Sequence, residues 1–357
     1  MVKILGAGLA GLAAAIKLAD AGLDVTIAEK SGVVGKYSSD NQAIRNYEHK
    51  YDELDFFLQN GIEVRHAVPI HRIVKYAPSG KKMTVASEDR ALFYSVQRGP
   101  SEISIEQQMY RQALKKGVEV VLNSPENPKS TNAEIITMGG VYNNIWEYGC
   151  LFKDTHADKE TILFFMDNKY CPKGYIYLLP YGNEATLAAT TFDRNTDLPK
   201  MLEAFMKENE VIKEALHGAT FVRSFSGFEY ANIPKSAVVK GRIIAGSAAG
   251  FIDPSRGFGI RYAVLSGLLA AQAVIEKTNY DKLWKEAFEQ ELLDGFKRRL
   301  LLEKMTNEDY ERLIVDENVK ISKYDKFGPL GDHLQMISLS IELERHRRKY
   351  ELKRVFG

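Results

Sequence analysis

The chain has 357 residues, of which 45% are hydrophobic and 27% are charged, and its net charge is +1. These proportions are those of a globular protein with one or two domains and a sizeable core. A nearly neutral chain gives no electrostatic reason to expect nucleic acid as a partner. No apolar stretch reaches the roughly 18 residues that span a bilayer, and two cysteines are too few for a disulfide framework or a structural zinc site. We therefore expect a cytoplasmic protein that holds no metal.

The first thirty residues have the pattern of a βαβ unit. An apolar run, Val2–Leu5, precedes a glycine-rich turn, and residues 12–21 are small, apolar and favourable to a helix. Gly22 breaks the helical pattern, and residues 23–28 again have the character of a buried strand. Because parallel strands joined through a helix make a right-handed crossover, we expect these segments to begin a Rossmann-like sheet.

The rest of the chain changes character twice. Up to residue 138, further strands alternate with helices predicted over residues 51–60 and 105–116. The strands of this part are predicted within residues 63–76, 82–86, 118–122 and 133–138. Between about residue 151 and residue 228, alternating apolar and polar segments indicate an antiparallel sheet, interrupted by one helix over residues 199–215. A buried strand (residues 242–245) and a helix of small residues (259–275) follow, and the chain is charged and helical from residue 280 onward.

Three glycines form the motif G-x-G-x-x-G between the first predicted strand and the first predicted helix. In a dinucleotide fold the first glycine permits a tight turn, the second lets the backbone approach a pyrophosphate, and the third lets helix and strand pack closely. The helix N-terminus attracts the phosphates. Glu29 ends the second strand, where a carboxylate accepts hydrogen bonds from an adenosine ribose. The residues expected to contact the cofactor here are Gly6, Ala7, Gly8, Leu9, Ala10, Gly11, Glu29 and Lys30.

A second glycine-rich segment distinguishes FAD from NAD. Residues 246–260 read G-S-A-A-G-F-I-D-P-S-R-G-F-G-I and again lie between a buried strand and a helix. A second loop aimed at the same sheet suits a long, extended cofactor such as FAD. The positive end of the helix that begins near Gly259 would stabilise negative charge on a reduced flavin ring. The candidate FAD contacts in this segment are Gly246, Ser247, Gly257, Phe258, Gly259 and Ile260.

These patterns predict an α/β protein, α+β overall, in three parts. Residues 1–150 and 236–280 would form a discontinuous, Rossmann-like FAD-binding domain. Residues 151–235 would form a substrate domain built on an antiparallel sheet. Residues 281–357 would form a helical C-terminal region.

Two motifs resemble those of the geranylgeranyl reductase family, FAD-dependent enzymes within the larger aromatic-hydroxylase-like group of flavoproteins. Residues 246–260 are similar to the family's G-D-A-A-G-x-x-x-P-x-x-G-x-G-I. Residues 172–180, P-K-G-Y-I-Y-L-L-P, resemble P-x-x-Y-x-W-x-F-P, with Tyr177 and Leu179 in place of Trp and Phe. Residues 296–314 are similar in style to the family's C-terminal helices, so the resemblance covers most of the chain. In the family, the P-x-x-Y strand lines the cavity in which the isoprenoid lies.

The resemblance also implies roles for residues outside the glycine loops. It implies that Gly35, in the loop after Glu29, and Arg98, ahead of the helix predicted from residue 105, lie near the cofactor. For Arg98 a solvated surface arginine is the alternative. Tyr175 and Tyr177 alternate to the same face of a strand. They either line the substrate cavity, as candidate catalytic residues, or fill the core.

Three features depart from the family pattern. Ser247 stands where the family has an Asp that hydrogen-bonds the ribityl chain, and a hydroxyl does this more weakly. The loop around Gly35 lacks the family's cysteine, and Asp40 stands roughly in its place. The chain is also short for the family, which predicts a reduced lipid cavity.

The activity that the resemblance implies is reduction of isoprenoid carbon–carbon double bonds by hydride transfer from reduced flavin. The substrate is then an apolar isoprenoid or prenyl lipid, and Tyr175 or a bound water is the candidate proton donor. Only one complete G-x-G-x-x-G is present, so the electron donor stays open among a ferredoxin, a deazaflavin and NAD(P)H. Two other functions stay open: a flavin monooxygenase of an aromatic or prenylated ring, which shares the fold, and a non-catalytic flavin-binding protein.

A basic run near the C-terminus, R-H-R-R-K at residues 345–349, has two interpretations. Such a run is usually the solvated face of a helix. It can also touch anionic headgroups if the substrate is a membrane lipid. The sequence thus predicts a cytoplasmic protein, with peripheral contact at the membrane surface as the alternative.

Overall fold

The structure, a computed structural model, describes residues 1–37, 40–139, 142–314, 318–320 and 336–357, and only the backbone of residues 318–320 and 336–341. The strands are β1 (Val2–Leu5), β2 (Val25–Ala28), β3 (Asn41–Arg45), β4 (Ala67–Ile70), β5 (Arg72–Tyr76), β6 (Lys82–Ala86), β7 (Phe93–Gln97), β8 (Glu119–Val121), β9 (Ile135–Ile136), β10 (Ile145–Lys153), β11 (Thr161–Phe165), β12 (Gly174–Tyr181), β13 (Glu184–Thr191), β14 (Thr220–Glu229), β15 (Val238–Val239), β16 (Arg242–Ile244) and β17 (Asn318–Lys320). The helices are α1 (Leu9–Asp20), α2 (Glu53–Gln59), α3 (Ile105–Lys115), α4 (Leu198–Glu208), α5 (Glu210–Ala215), α6 (Ile260–Glu276), α7 (Tyr280–Trp284), α8 (Gln290–Leu302), α9 (Asn307–Leu313), α10 (Met336–Lys349) and α11 (Lys353–Phe356).

The first sheet is the predicted Rossmann-like sheet, in the order β15-β16-β9-β1-β2-β8. Its strands are parallel except for the edge strand β15. Their short apolar sequences fit strands that are covered on both faces. Helices α1 and α6 pack closely against each other, because Gly267 has no side chain: a Cβ there would lie 2.2 Å from the Ala10 carbonyl oxygen. The α/β fold expected from the sequence is therefore confirmed.

The large sheet has eight strands in the order β14-β10-β13-β12-β11-β5-β6-β17. It is antiparallel except where β11 meets β5 and β17 meets β6. One face packs against α4 and α5, with Phe205 and Ile212 buried among Ile176 and Leu178. Because side chains alternate along a strand, the residues between these core positions face the other side of the sheet.

A third sheet of three antiparallel strands, β3-β7-β4, contacts β12 of the large sheet and helix α6. The sequence patterns did not predict β3 or β7. Phe93 of β7 packs its ring against Phe258, with ring centroids 5.5 Å apart. The small sheet therefore supports the second glycine-rich segment.

Three findings differ from the expected organisation. The helix predicted over residues 199–215 is two helices, because Asn209 ends α4 and its side chain accepts the Ile212 N–H as the cap of α5. The C-terminal region, predicted to be helical, contributes β17 to the large sheet. Residues 72–86, placed by the sequence in the FAD-binding domain, also lie in that sheet. The domain boundaries stay a prediction, and hydrogen-bonded strands cross them.

No helix among the described residues combines the length and the apolar character that crossing a bilayer requires.

Candidate active site

A cavity of about 710 Å³ lies between the first sheet and the large sheet. One side, which we call the glycine-loop wall, is formed by the backbone-rich segments at residues 6–10 and 247–260. The other side, the strand wall, is formed by the side chains of Glu147, Ile162, Phe164, Tyr175, Tyr177, Leu179, Thr190 and Glu229. The sequence-predicted residues that line the cavity are Gly6, Ala7, Gly8, Leu9, Ala10, Glu29, Lys30, Gly35, Arg98, Tyr175, Tyr177, Ser247, Gly257, Phe258, Gly259 and Ile260. Gly11 and Gly246 lie behind the wall, at packing contacts.

The first glycine loop has the shape of a phosphate cradle. Gly6 has φ +105°, a backbone conformation that favours glycine. A Cβ on Gly11 would lie 2.0 Å from the Gly6 carbonyl oxygen, so only glycine lets α1 start this close to β1. Among the described atoms, nothing lies within 4 Å of a Cβ built on Gly8. The backbone of Gly8 therefore faces open space at the N-terminus of α1, where free N–H groups can bind phosphate.

Glu29 is held at the end of β2 by two backbone groups. Its Oε2 accepts the Ala7 N–H at 2.9 Å and its Oε1 accepts the Ser31 N–H at 2.9 Å. Each carboxylate oxygen keeps a second lone pair for a ribose hydroxyl. The sequence expected Glu29 to bind the ribose, and the structure shows what fixes its orientation.

The second glycine-rich segment meets the first at the cavity. Gly246, at φ +63°, approaches α1 so closely that a Cβ would lie 2.7 Å from the Ala10 Cβ. This contact places Ser247 in the cavity wall, in a short 3-10 turn. Gly259 caps α6, so the N-terminus of this helix meets the cavity with no side chain over it. The two distant loops are thus brought together at one edge of the sheet.

A buried ion pair fixes the conformation of the second segment. Asp253 is 1% exposed and accepts hydrogen bonds from Arg45 at 2.5 Å and from the Ser255 N–H at 2.8 Å. Burial favours the neutral acid, but the charges of Arg45, Arg256 and Arg298 hold the pKa of Asp253 well below its ordinary value. Asp253 therefore stays ionised, and its ion pair with Arg45 holds the second glycine-rich segment against β3.

Arg98 lies in the cavity wall and is not the solvated surface residue of the alternative interpretation. Its side chain is only 17% exposed, and Nε donates to Glu106 Oε1 at 2.6 Å. A second guanidinium nitrogen donates to the side chain of Gln42. Gly35 packs against the residue after Arg98, since a Cβ on Gly35 would lie 2.4 Å from the Gly99 carbonyl oxygen. The loop after Glu29 is therefore docked beside Arg98, and contact of either residue with the cofactor stays a prediction.

Three aromatic side chains form the strand wall near the second glycine loop. Phe164, Tyr175 and Tyr177 have neighbouring ring centroids 5.6 to 6.3 Å apart. The Tyr175 hydroxyl donates to the Arg256 carbonyl and lies 3.8 Å from a Cβ built on Gly257. Of the two interpretations of Tyr175 and Tyr177, the structure shows that they line the cavity.

Two carboxylates of the site, Glu147 and Glu229, were missed by the sequence interpretation. Glu147 Oε1 accepts hydrogen bonds from the Tyr177 hydroxyl at 2.7 Å and the Thr190 hydroxyl at 3.2 Å. Burial, followed by the negative charge of Asp40, raises the pKa of Glu147 to about 8. Burial also raises the pKa of Glu229 to about 6, although the nearby charge of Arg98 opposes this rise. Both acids line the cavity.

The signal that could have revealed Glu147 is one carboxylate inside an apolar strand. The predicted antiparallel sheet began at about residue 151, but β10 begins at Ile145. Trp146, Tyr148 and Cys150 pack towards α4 and α5, so Glu147 faces the other side. Extending the alternation backwards by six residues would have placed Glu147 on the cavity face.

The chemistry of these walls fits a flavin. The glycine-loop wall offers backbone N–H groups and two helix N-termini to phosphates and to a developing negative charge. The strand wall offers aromatic surface and two protonatable acids with raised pKa values. Among the described residues, no group of three His, Cys, Asp or Glu side chains could hold a metal ion.

Comparisons with known proteins agree with this geometry. Residues 4–67 match the model of the NAD(P)-binding Rossmann-like domain family. A digeranylgeranylglycerophospholipid reductase of Methanocaldococcus jannaschii is 26% identical, with 87% of this chain and 89% of the relative covered. A solved structure described as geranylgeranyl bacteriochlorophyll reductase-like, from Thermoplasma acidophilum, has a TM-score of 0.73 at 18% identity and covers 99% of this chain and 97% of its own. The flavin-dependent brominase Bmp2 has a TM-score of 0.63 at 15% identity, covering 98% and 99%.

The solved structures show the shared fold, and the relative named as a reductase matches most of the chain. The resemblance drawn from residues 172–180 and 246–260 is thereby confirmed. The chain is a flavin-dependent oxidoreductase related to the geranylgeranyl reductases.

Proposed function

We propose that this protein binds FAD and uses it to reduce carbon–carbon double bonds of an isoprenoid lipid. The observation that carries the proposal is one cavity of about 710 Å³ in which two glycine loops face an aromatic wall. The substrate class is supported by the relatives named digeranylgeranylglycerophospholipid reductase.

The glycine-loop wall would hold the cofactor. The loop of residues 6–11 and the N-terminus of α1 would bind the pyrophosphate, and Glu29 would bind the adenosine ribose. Ser247 would hydrogen-bond the ribityl chain, and residues 257–260 would lie at the flavin ring. When bound and reduced, the flavin would supply a hydride.

The strand wall would bind the substrate. Ile162, Phe164 and Leu179 present apolar surface to the cavity, and Tyr175 and Tyr177 add two rings whose hydroxyls are already hydrogen-bonded. An apolar chain packed on this surface would displace water from the reacting double bond and hold it in place. The two tyrosines would thus contribute shape and orientation.

We propose that the protein is cytoplasmic and that it contacts a membrane surface when it takes up its lipid substrate. Part of the basic run is used inside the protein: Arg347 donates to the Ile233 carbonyl, and His346 packs between Phe296 and Tyr350. The cations of the run that are exposed and could meet anionic headgroups are Arg345, Arg348 and Lys349.

The test is an absorption spectrum of the purified protein, followed by anaerobic reduction with dithionite and addition of a geranylgeranylated lipid. We expect a flavin spectrum that bleaches and is restored by the unsaturated lipid, with saturated product seen by mass spectrometry. The same lipid with saturated chains is the control and should restore nothing. A flavin restored only by oxygen would instead support the monooxygenase or the non-catalytic alternative.

The electron donor is tested in the same cuvette. A reduced ferredoxin, a reduced deazaflavin and NAD(P)H would each replace dithionite in turn. The donor that bleaches the flavin within the time of one turnover is the functional one.

A further inference from the structure

Glu147 has two oxygens in different environments. Oε1 accepts both the Tyr177 and the Thr190 hydroxyl, at 2.7 and 3.2 Å. Oε2 has no hydrogen-bond partner among the described residues. On the neighbouring strand β14, the residue paired with Glu147 is Gly227, and a Cβ built there would lie 4.0 Å from Oε2. Because glycine has no side chain, the Oε2 side of the carboxyl stays open towards the cavity.

Five side chains face Glu147: Tyr175 and Tyr177 on β12, Thr190 on β13, Glu229 on β14 and Asp40 ahead of β3. The charges of the two acids favour the neutral form of Glu147, whereas the hydrogen bonds from Tyr177 and Thr190 favour its carboxylate. Arg98, the cation whose charge acts on Glu229, is itself paired with Glu106. Burial and the charge of Asp40 raise the pKa of Glu147 to about 8, against the smaller opposing effect of the Tyr177 and Thr190 hydrogen bonds. Since Oε1 is occupied as an acceptor, the proton of the neutral acid sits on Oε2.

We propose that Glu147 is the proton donor to the double bond that this protein reduces. The proposal rests on the function proposed above. The double bond gains a hydride at one carbon, with both electrons, from the reduced flavin. It gains a proton at the other carbon from Glu147 Oε2, and Glu147 is left as a carboxylate. Water at the cavity mouth returns the proton, so that atoms and charge balance over one turnover.

Tyr175, the donor suggested by the sequence, is less suited to this role. Its hydroxyl proton is committed to the Arg256 carbonyl, and burial raises the pKa of Tyr175 above its ordinary value. The Tyr177 proton points at Glu147 and not into the cavity. Tyr177 is therefore a positioning residue that holds the acid with Oε2 outward.

The first test reads the protonation of Glu147 without any cofactor or substrate. Infrared difference spectra of the FAD-free protein, recorded through a pH titration, should show a protonated carboxyl band that disappears with a midpoint near the pKa of about 8. The band should be absent in Glu147→Gln, whose amide keeps the acceptor oxygen for Tyr177 and Thr190. It should persist in Glu160→Gln, a matched change at an exposed acid. Absence of any wild-type band assigned to Glu147 above pH 6 would overturn the proposal.

The second test measures reoxidation of the reduced, FAD-loaded protein by the lipid at different pH values. The wild-type rate should fall as the pH rises through about 8, because the ionised acid has no proton to give. Glu147→Gln should lower the rate by roughly a hundredfold or more and remove this pH dependence. Glu229→Gln should move the midpoint to lower pH, because the negative charge of Glu229 raises the pKa of Glu147.

The outcomes separate the two proposals. If the wild-type flavin is not reoxidised by any prenyl lipid, the proposed function fails, and the role of Glu147 fails with it. If the wild type turns over and Glu147→Gln keeps its rate and pH profile, the proton-donor role alone is overturned. If Tyr175→Phe abolishes turnover while Glu147→Gln does not, the proton comes from Tyr175.

Discussion

The two walls of the cavity use different parts of the chain. The glycine-loop wall presents backbone, and Gly6 in the wall and Gly11 and Gly246 behind it stand where a Cβ would meet neighbouring atoms at 2.0 to 3.1 Å. The strand wall presents side chains on a regular sheet, where Tyr177, Thr190 and Glu147 are joined by hydroxyl-to-carboxyl hydrogen bonds. The backbone N–H groups of the first wall can bind the phosphates of a cofactor but hold no proton for the reaction. The side chains of the second wall can select a substrate and hold a proton. We therefore expect changes in the two walls to separate cofactor binding from chemistry.

The largest effect is expected from adding one methyl group behind the glycine-loop wall. Gly11→Ala would place a Cβ 2.0 Å from the Gly6 carbonyl oxygen, so that α1 and β1 must move apart. We expect a loss of stability on the order of 4 kcal/mol, with loss of bound flavin. Thermal unfolding and the flavin-to-protein absorbance ratio measure both.

Gly8→Ala is the matched control for this substitution. A Cβ there meets no described atom within 4 Å, and Gly8 has φ −77°, so the free protein should fold with nearly unchanged stability. The added methyl would instead stand where the pyrophosphate approaches the backbone. If Gly8→Ala binds FAD as tightly as the wild type, the assignment of this loop to the cofactor is wrong.

The glycine-loop wall could be predicted from the sequence and the acids of the strand wall could not, because only the glycine-loop wall depends on local backbone requirements. Gly6 and Gly11 can be predicted from the sequence because the tight turn and the close contact between helix and strand admit no other residue. Gly8 can be predicted because the motif leaves the backbone there bare for a pyrophosphate. The strand wall depends on pairing between segments far apart in the chain: Glu147 matters only because β10 lies between β13 and β14. Likewise the sequence around Asp253 does not indicate that Arg45 is its partner. The sequence of residues 72–86 does not indicate that these strands join the large sheet. Local backbone requirements are visible in one sequence, and non-local pairing of ordinary strands is not.

A smaller effect is expected from Asp253→Asn, which removes the ion pair between Arg45 and Asp253 that fixes the second glycine-rich segment. Arg45 is 4% exposed, so its charge would be left buried without its main partner. We expect a cost of about 3 kcal/mol, measured by chemical denaturation. Asp294→Asn removes a surface carboxylate that pairs with Lys297 and should cost less than about 0.5 kcal/mol. Equal costs for the two variants would contradict the role given to the Asp253 pair.

The pH dependence of the same variant has a definite sign. The pKa of Asp253 is lowered on folding, so its stabilising contribution is complete above the ordinary value of 3.8 and is lost as the pH falls below it. The stability difference between the wild type and Asp253→Asn should therefore narrow below pH 3.8 and stay constant above pH 5. A difference that instead widens in acid would show that Asp253 is protonated in the folded protein.

The smallest effect is expected from Tyr177→Phe, on the strand wall. It removes one hydrogen bond to Glu147 and keeps the ring that packs against Phe164 and Tyr175. We expect a loss of about 1 kcal/mol in unfolding free energy and an unchanged flavin-to-protein ratio. The hydrogen bond from Tyr177 lowers the pKa of Glu147, so its removal should move the infrared midpoint of Glu147 to higher pH. Loss of flavin from this variant would show that the strand wall also holds the cofactor, and the division between a binding wall and a chemical wall would fail.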